Sequence, residues 1–317
     1  MSRDPAAEAL VPKFQFEKLL NQDQAGRRVV LLGSIDDVPA LLIAERAPFA
    51  ADPEHLSSFA SSLANVTNLG NNDIYKWYLA SSSSASASAD SQPPDLKINL
   101  FHPCTPQLIA KYSRQGIRVV TETPTVYAEH VRPYVLRKQA EGRVNWVFNI
   151  LEGRTEQEDV MYREHGPEGF LVLPDLNWDR KTVTALHLLG IVERRDLLSL
   201  RDLKKEHVDW LRHVKRKLVD ATLGMYPKLE WDQLKFYVHY QPTYYHLHIH
   251  IVHVELEAGA TQAVGKAISL DNIISQLETM PDGKGMADVE LTYTIGEASE
   301  LWIEVFEPRR KELRDNA

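Results

Sequence analysis

From Tyr244 to Val252 the chain reads Tyr244-Tyr245-His246-Leu247-His248-Ile249-His250-Ile251-Val252, and through His250 histidine alternates with apolar residues. A period of two belongs to a strand, whose successive side chains point to opposite faces. At a rise of roughly 3.3 Å per residue, the three imidazoles would share one face with neighbours about 6.6 Å apart. Leu247, Ile249 and Ile251 would fill the other face as core, and His253 has the core parity and is not counted with the cluster. This part of the chain must therefore build a sheet with one buried face and one face carrying chemistry.

Three readings compete for the histidine face. The imidazoles could be solvated or hydrogen-bonded to core groups. Two His at i and i+2 of a strand can reach one zinc ion, and a third ligand would complete a catalytic metal site. Alternatively, a neutral imidazole attacks a phosphoanhydride while its neighbours hold the phosphate oxygens. Clusters of titratable groups tend to mark sites, which disfavours the first reading. Spacing alone leaves the other two open.

The run His246-Leu247-His248-Ile249-His250-Ile251-Val252 resembles the histidine-triad pattern, and the longer string from His239 through Tyr240-Gln241-Pro242-Thr243-Tyr244 to His248 is similar to one branch of that superfamily, the scavenger mRNA decapping enzymes. Further segments agree in order and spacing: Asn72-Asp73-Ile74-Tyr75, His102-Pro103-Cys104-Thr105, Lys111-Tyr112, Asn145-Trp146 to Leu151, Pro174-Asp175-Leu176 with Trp178, and Ser199-Leu200-Arg201-Asp202-Leu203. The resemblance spans about residues 70 to 270. It implies an α+β chain: a small β-rich N-terminal domain exchanged between two subunits of a homodimer, then a C-terminal histidine-triad domain with an antiparallel sheet and helices. We expect the first domain over residues 1–114, a hinge over 115–123 and the second domain over 124–317.

Composition sets outer limits. The 317 residues carry a net charge of -8, which argues against a broad surface for long nucleic acid, because such binding needs a basic field. Any nucleotide ligand should be small and held locally. Cys104 is the single cysteine, so no intramolecular disulfide forms, in keeping with a reducing compartment, cytoplasmic or nuclear. Asp4, Glu8 and Lys13 interrupt the apolar residues of the N-terminus, so no secretion signal is expected, and no stretch reaches the roughly 20 apolar residues of a membrane span.

Along the chain, residues 1–15 read as poorly ordered, and Val29–Leu32 with Ala40–Ala44 as a hairpin around an Asp-rich turn. Asp52-Pro53 should start a helix reaching Leu63, followed by a strand near Tyr75–Leu79. Ser81–Pro94, mostly Ser and Ala, reads as a mobile insertion. Leu96–Phe101 reads as a strand, and Thr105-Pro106 as the start of a helix carrying Lys111. Pro124 begins a helix that Pro133 should kink. Strands are expected near 159–162, 169–174, 235–240, 244–254 and 289–295, and helices over 206–223, 269–279 (capped by Ser269) and 299–310, the last interrupted at Pro308. Arg212, Lys215, Arg216 and Lys217 on the 206–223 helix read as a solvated face rather than an RNA surface.

The resemblance implies hydrolysis of the short 7-methylguanosine-capped fragment left after mRNA decay, giving 7-methylguanosine monophosphate and a nucleoside diphosphate, with no cofactor and no metal. His248 takes the place of the nucleophile, His246 and His250 flank it, and His239 assists from the adjoining strand. Trp146 would stack on the cationic base, Glu156 would accept from the guanine edge, and Pro174, Asp175 and Leu176 would line base and ribose. Asp73, Tyr75 and Lys111 match positions that meet the second nucleotide and the phosphates, as Thr243 and Tyr244 match phosphate contacts. The chain departs from the pattern at Lys266, where arginine is usual, and at Asn177, where lysine is usual; Arg180 or Lys181 could replace that lost cation. A hydrolase of dinucleoside polyphosphates, a weakly active cap-binding protein and a zinc hydrolase remain as alternatives.

Overall fold

The computed structural model describes residues 4–24, 26–72, 74–82, 94–166, 168–175 and 178–315. It divides into two compact units, Met1–Arg114 and Gln115–Ala317.

The first unit contains two antiparallel three-stranded sheets. One orders β1 (Gln15–Gln22), β2 (Arg28–Ile35) and β3 (Val38–Glu45). Asp36 and Asp37 join β2 to β3 as a two-residue turn with φ of 49° and 62°, the left-handed pair such hairpins require. The other orders β4 (Leu63–Asn72), β5 (Tyr75–Ser82) and β6 (Leu96–Phe101). Helix starts follow capping chemistry: Asp52 accepts from the His55 N–H ahead of helix Pro53–Phe59, and Thr105 accepts from the Leu108 N–H ahead of Pro106–Tyr112. Two expectations need correction. The start of the chain is structured from Asp4, with helix Pro5–Glu8, a 3-10 turn Val11–Lys13 and β1. Neither β1 nor β4 was expected; β1 has no buried residue, so no alternation marks it, and β4 runs through Asn and Gly with two register shifts. Residues 83–93 of the Ser/Ala insertion lie outside the described residues, and Ser81 and Ser82 belong to β5.

The second unit is built on a six-stranded antiparallel sheet in the order β13-β11-β12-β10-β9-β8: Ala267–Ser269, Leu234–His239, His248–His253, His187–Val192, Phe170–Pro174 and Tyr162–Glu164. The helices Val208–Met225 and Leu270–Thr279 contribute Leu211, Val214, Leu218, Ile273 and Leu277 to the main core, together with Ile249 and Ile251. At Gly190 the Val208–Met225 helix packs so closely that a Cβ would meet the Leu218 side chain at 3.0 Å, and Leu218 would have to give by a few tenths of an ångström to admit one. A smaller core joins Val147, Ile150 and Leu151 of helix Asn145–Leu151 to Leu171, Leu173 and Ile191 of the sheet.

The strand expected over 244–254 is shorter: β12 begins at His248, and residues 241–247 form an irregular turn. All six residues of β12 are buried, so the histidine face is interior as well. The expected strand at 159–162 gives way to a 3-10 turn, Gln157–Asp159, before β8. Residues 115–123, expected as a hinge, belong to the second unit, where β7 (Ile117–Glu122) pairs along its whole length with β14 (Leu291–Gly296). Pro133 and Pro308 are each preceded by a π-helical segment, Tyr127–Val131 and Trp302–Phe306, which absorbs the missing N–H and ring clash. Pro308 therefore lies within helix Glu307–Asp315 and does not interrupt it. Ser269 holds the N-cap position but its side chain makes no capping bond. On the Val208–Met225 helix, Arg212 and Lys215 pair with Glu278 and Asp271 of the next helix and Lys217 lies near Glu164, so much of this face is neutralised by carboxylates.

Candidate active site

The register of the sheet assembles the imidazoles. Tyr237 of β11 and Leu189 of β10 lie opposite His250, and His187 of β10 lies opposite Val252. His187, His239, His248 and His250 therefore project to one side of three adjacent strands. The His239 and His250 ring centroids are 4.0 Å apart, His248 and His250 5.2 Å, and His187 and His250 5.2 Å.

Hydrogen bonds decide how each ring is presented. His248 Nδ1 lies 2.8 Å from the His246 carbonyl, which can only accept, so Nδ1 carries the proton and the neutral ring keeps its lone pair on Nε2. By the same rule His239 donates from Nε2 to the Thr261 carbonyl and His246 from Nε2 to the Val192 carbonyl. His250 Nδ1 is 2.9 Å from His187 Nε2, and His250 Nε2 is buried without a partner. Burial keeps these rings uncharged: it pushes His248 and His239 down to about 4, with a smaller contribution from the Lys266 cation, and lowers His250, His246 and His187 too. Near pH 7 the cluster is a set of neutral imidazoles, and a neutral ring is the form that can act as a nucleophile.

Aromatic rings frame His248. Tyr244 stacks on it with centroids 4.2 Å apart and planes at 18°, and Trp146 meets Tyr244 edge-on at 4.8 Å. Trp146 sits in the first turn of helix Asn145–Leu151 and is 43% exposed, while Val147 and Ile150 of that helix anchor it. The Trp146 indole is thus available for stacking rather than spent in the core. His246, which precedes the strand, packs edge-on against Phe148 of the same helix.

Lys266 brings a cation to this end of the sheet; it is partly buried, burial lowers its pKa, and Nζ donates to the Gln241 carbonyl. With Thr243 and Tyr244 it lines a cleft of about 370 Å³ that also reaches Lys138, Arg143 and Glu300. Asp175 follows β9, its N–H bonded to the His187 carbonyl, and Pro174 ends that strand in the core. Glu156 is exposed and left-handed at φ 53°, leading into the Gln157–Asp159 turn. Asp73, Leu176 and Asn177 lie outside the described residues, as do the side chains of Tyr75 and Lys111. Arg180 does not stand free to replace a lysine at 177, because it grips Asp159 with both terminal nitrogens. Ring nitrogens of His239, His248 and His250 lie within 4.8 Å of one another, as do donor atoms of Asp175, His187 and His250, so either group could hold a metal ion.

His187 and Glu122 have a part in this arrangement and were missed in sequence, and Arg201 was noted only within a matching segment, without a role. His187 opens an apolar strand and looks like an isolated polar residue. Glu122 and Arg201 form a fully buried pair at 2.7 Å, and Glu122 also accepts from the Tyr240 and Tyr293 hydroxyls and the Gln241 amide. This pair fixes the start of the turn that carries Thr243 and Tyr244.

Residues 9–115 match the family described as scavenger mRNA decapping enzyme (DcpS) N-terminal, and residues 145–265 the one described as scavenger mRNA decapping enzyme C-term binding. Relatives called m7GpppX diphosphatase include one from Schizosaccharomyces pombe, 37% identical over 289 residues that cover 91% of this chain and 92% of the relative. Another, from Caenorhabditis elegans, is 32% identical over 88% of each chain, and one from Homo sapiens is 29% identical over 84% of this chain and 78% of the relative. An antiparallel sheet presenting a cluster of neutral histidines is the class of site seen here. The chain belongs to the scavenger mRNA decapping enzyme family.

Proposed function

We propose that this protein hydrolyses the triphosphate bridge of short 7-methylguanosine-capped fragments, releasing 7-methylguanosine monophosphate and a nucleoside diphosphate. The observation that carries this reading is His248: a neutral ring with Nδ1–H committed to a carbonyl and the lone pair on Nε2. Nε2 attacks the phosphorus next to the methylated nucleoside, a P–N bond forms as the P–O bond to the nucleoside diphosphate breaks, and water then cleaves the phosphohistidine. His250 would supply a hydrogen bond and Lys266 charge to the phosphate oxygens, while His239, its Nε2–H held by the Thr261 carbonyl, packs against His250, and Trp146 would offer a π face for the cationic base. The names of the relatives support the substrate class.

Product analysis on the methylated and unmethylated capped dinucleotides, both in chelator, tests the proposal. Release of 7-methylguanosine monophosphate from the methylated substrate, lost in His248→Asn while binding persists, is the expected result. Equal cleavage of both dinucleotides would replace it with a general dinucleoside polyphosphate hydrolase, and loss of activity in chelator would point to a metal held by His239, His248 and His250.

We further infer that the protein acts as a homodimer in which the first unit completes its core against a second copy. Within residues 1–114, Ala80 is the only fully buried hydrophobic residue among those described, while Phe16, Val38, Leu41, Ile43 and Phe49 are more than half exposed. An isolated unit of this size cannot stay folded with so little buried apolar surface. The exposed single Cys104 is in keeping with a reducing compartment, cytoplasmic or nuclear.

A further inference from the structure

His187 has no part in the reaction as proposed above, yet it touches the group that does. It is the first residue of β10, on the face of the sheet that carries His250. Its Nε2 lies 2.9 Å from His250 Nδ1 and 3.7 Å from Asp175 Oδ2, and the Asp175 N–H is bonded to the His187 carbonyl at 2.9 Å, which keeps the carboxylate beside its own strand.

Two ring nitrogens 2.9 Å apart share one proton between them, and the surroundings decide which ring owns it. A proton on His187 Nε2 meets an acceptor in His250 Nδ1 and lies toward a carboxylate oxygen. A lone pair on His187 Nε2 would instead face that negative charge across 3.7 Å in a site sheltered from water, where Coulomb interactions are screened less than in solvent. The charge therefore favours the proton on His187. His250 must then keep its own proton on Nε2, the atom that is buried and has no partner. A buried donor left without an acceptor is costly unless a ligand supplies one, and the ring that carries this one packs with its centroid 4.0 Å from that of His239 and 5.2 Å from that of His248.

We propose that His187 is a positioning residue that fixes His250 as its Nε2–H tautomer, so that His250 presents a hydrogen-bond donor to a phosphate oxygen beside the nucleophile. The carboxylate of Asp175 sets the direction of the chain Asp175, His187, His250. The proposal rests on the reading of His248 as nucleophile for its catalytic consequence, but the tautomer is a property of the free protein.

The experiment is long-range 1H–15N correlation of the histidine rings in the full-length labelled protein near neutral pH, with His250 assigned from the signals missing in His250→Asn. It is paired with steady-state kinetics on the methylated capped dinucleotide for His187→Leu and His187→Gln, the amide of Gln being able to donate as Nε2–H does. The expected result is a wild-type His250 protonated at Nε2 only, and loss of that single tautomer in His187→Leu. The kcat of His187→Leu should fall roughly tenfold to hundredfold, the range typical of removing the partner that orients a functional histidine. KM should change less than kcat, since the donor gains most against the charge that builds on the phosphate oxygen in the transition state, and His187→Gln should restore both tautomer and most of kcat. A wild-type His250 protonated at Nδ1, or a His187→Leu protein with unchanged tautomer or unchanged kcat, would overturn the proposal. If the wild-type protein cleaves no capped dinucleotide, the functional reading fails by itself while the ring spectra still decide the tautomer.

Discussion

Replacing Glu122 by leucine should unfold the second unit far more easily than its position at the end of a strand suggests. Glu122 and Arg201 are fully buried, and the guanidinium donates to both the carboxylate and the main-chain carbonyl of Glu122 and to the carbonyls of Met286 and Val289. Removing the carboxylate leaves a buried cation without its counter-charge, which costs about 3–5 kcal/mol. The Tyr240 and Tyr293 hydroxyls lose their acceptor as well, at about 1 kcal/mol each before the overlap between neighbouring contacts is allowed for. The expected loss is about 5 kcal/mol, a large share of the 5–15 kcal/mol that holds a domain together. With a urea slope of about 2–3 kcal/mol/M, the unfolding midpoint should drop by about 2 M. Tryptophan fluorescence reads this transition, because five of the six tryptophans lie beyond residue 114. Combining Glu122→Leu with Arg201→Met removes both charges and should recover about 2–3 kcal/mol relative to the sum of the single losses, as coupled buried pairs do. A shift of less than about 0.5 M in Glu122→Leu, or a double variant whose loss equals that sum, would refute the reasoning.

Other expectations concern the site and the assembly. Because burial holds His248 at about 4, kcat should stay on its plateau through pH 6 and 5 and fall only as pH approaches 4; an acid limb near the ordinary imidazole value of 6.5 would contradict this. His239 and His248 have folded pKa values below their unfolded ones, so between pH 6.5 and about 4 the unfolded chain binds more protons, and stability should decline as pH falls through that window; melting temperatures at stepped pH read it. Trp146→Ala should raise KM for the methylated capped dinucleotide roughly tenfold to hundredfold through lost stacking and cation–π attraction, with a smaller effect on the unmethylated one. Sedimentation should give a dimer at micromolar concentration, and a stable monomer with a fully folded first unit would remove the exchanged-domain reading.

Much of the fold was readable because its signals are local. Leu96–Phe101 alternates and is a strand with those bounds, and Thr105-Pro106 and Asp52-Pro53 cap helices as their chemistry requires. β1 was hidden because none of its residues is buried in this chain. The start of β12 was misplaced because alternation runs on from His246 although the backbone becomes regular only at His248. His246 keeps its histidine-triad place but faces Val192 and Phe148 rather than lining a strand.

The sequence alone determined that His248 and His250 would share one face of a strand, that the C-terminal part would be α+β with antiparallel strands, and that the chain resembles the scavenger decapping family. The first two come from spacing within short segments, where covalent geometry sets which face a side chain takes, and the last from matching strings of residues. Tertiary structure decided which nitrogen each ring offers, that the histidine face is dry, and that His187 and Asp175 stand behind His250 while Glu122 and Arg201 stand behind the Tyr240–Tyr245 turn. These partners are 63 residues apart for His187 and His250 and 79 for Glu122 and Arg201. Contacts at such separations depend on strand register and on how much water the packed core excludes, and neither quantity is carried by any local run of residues.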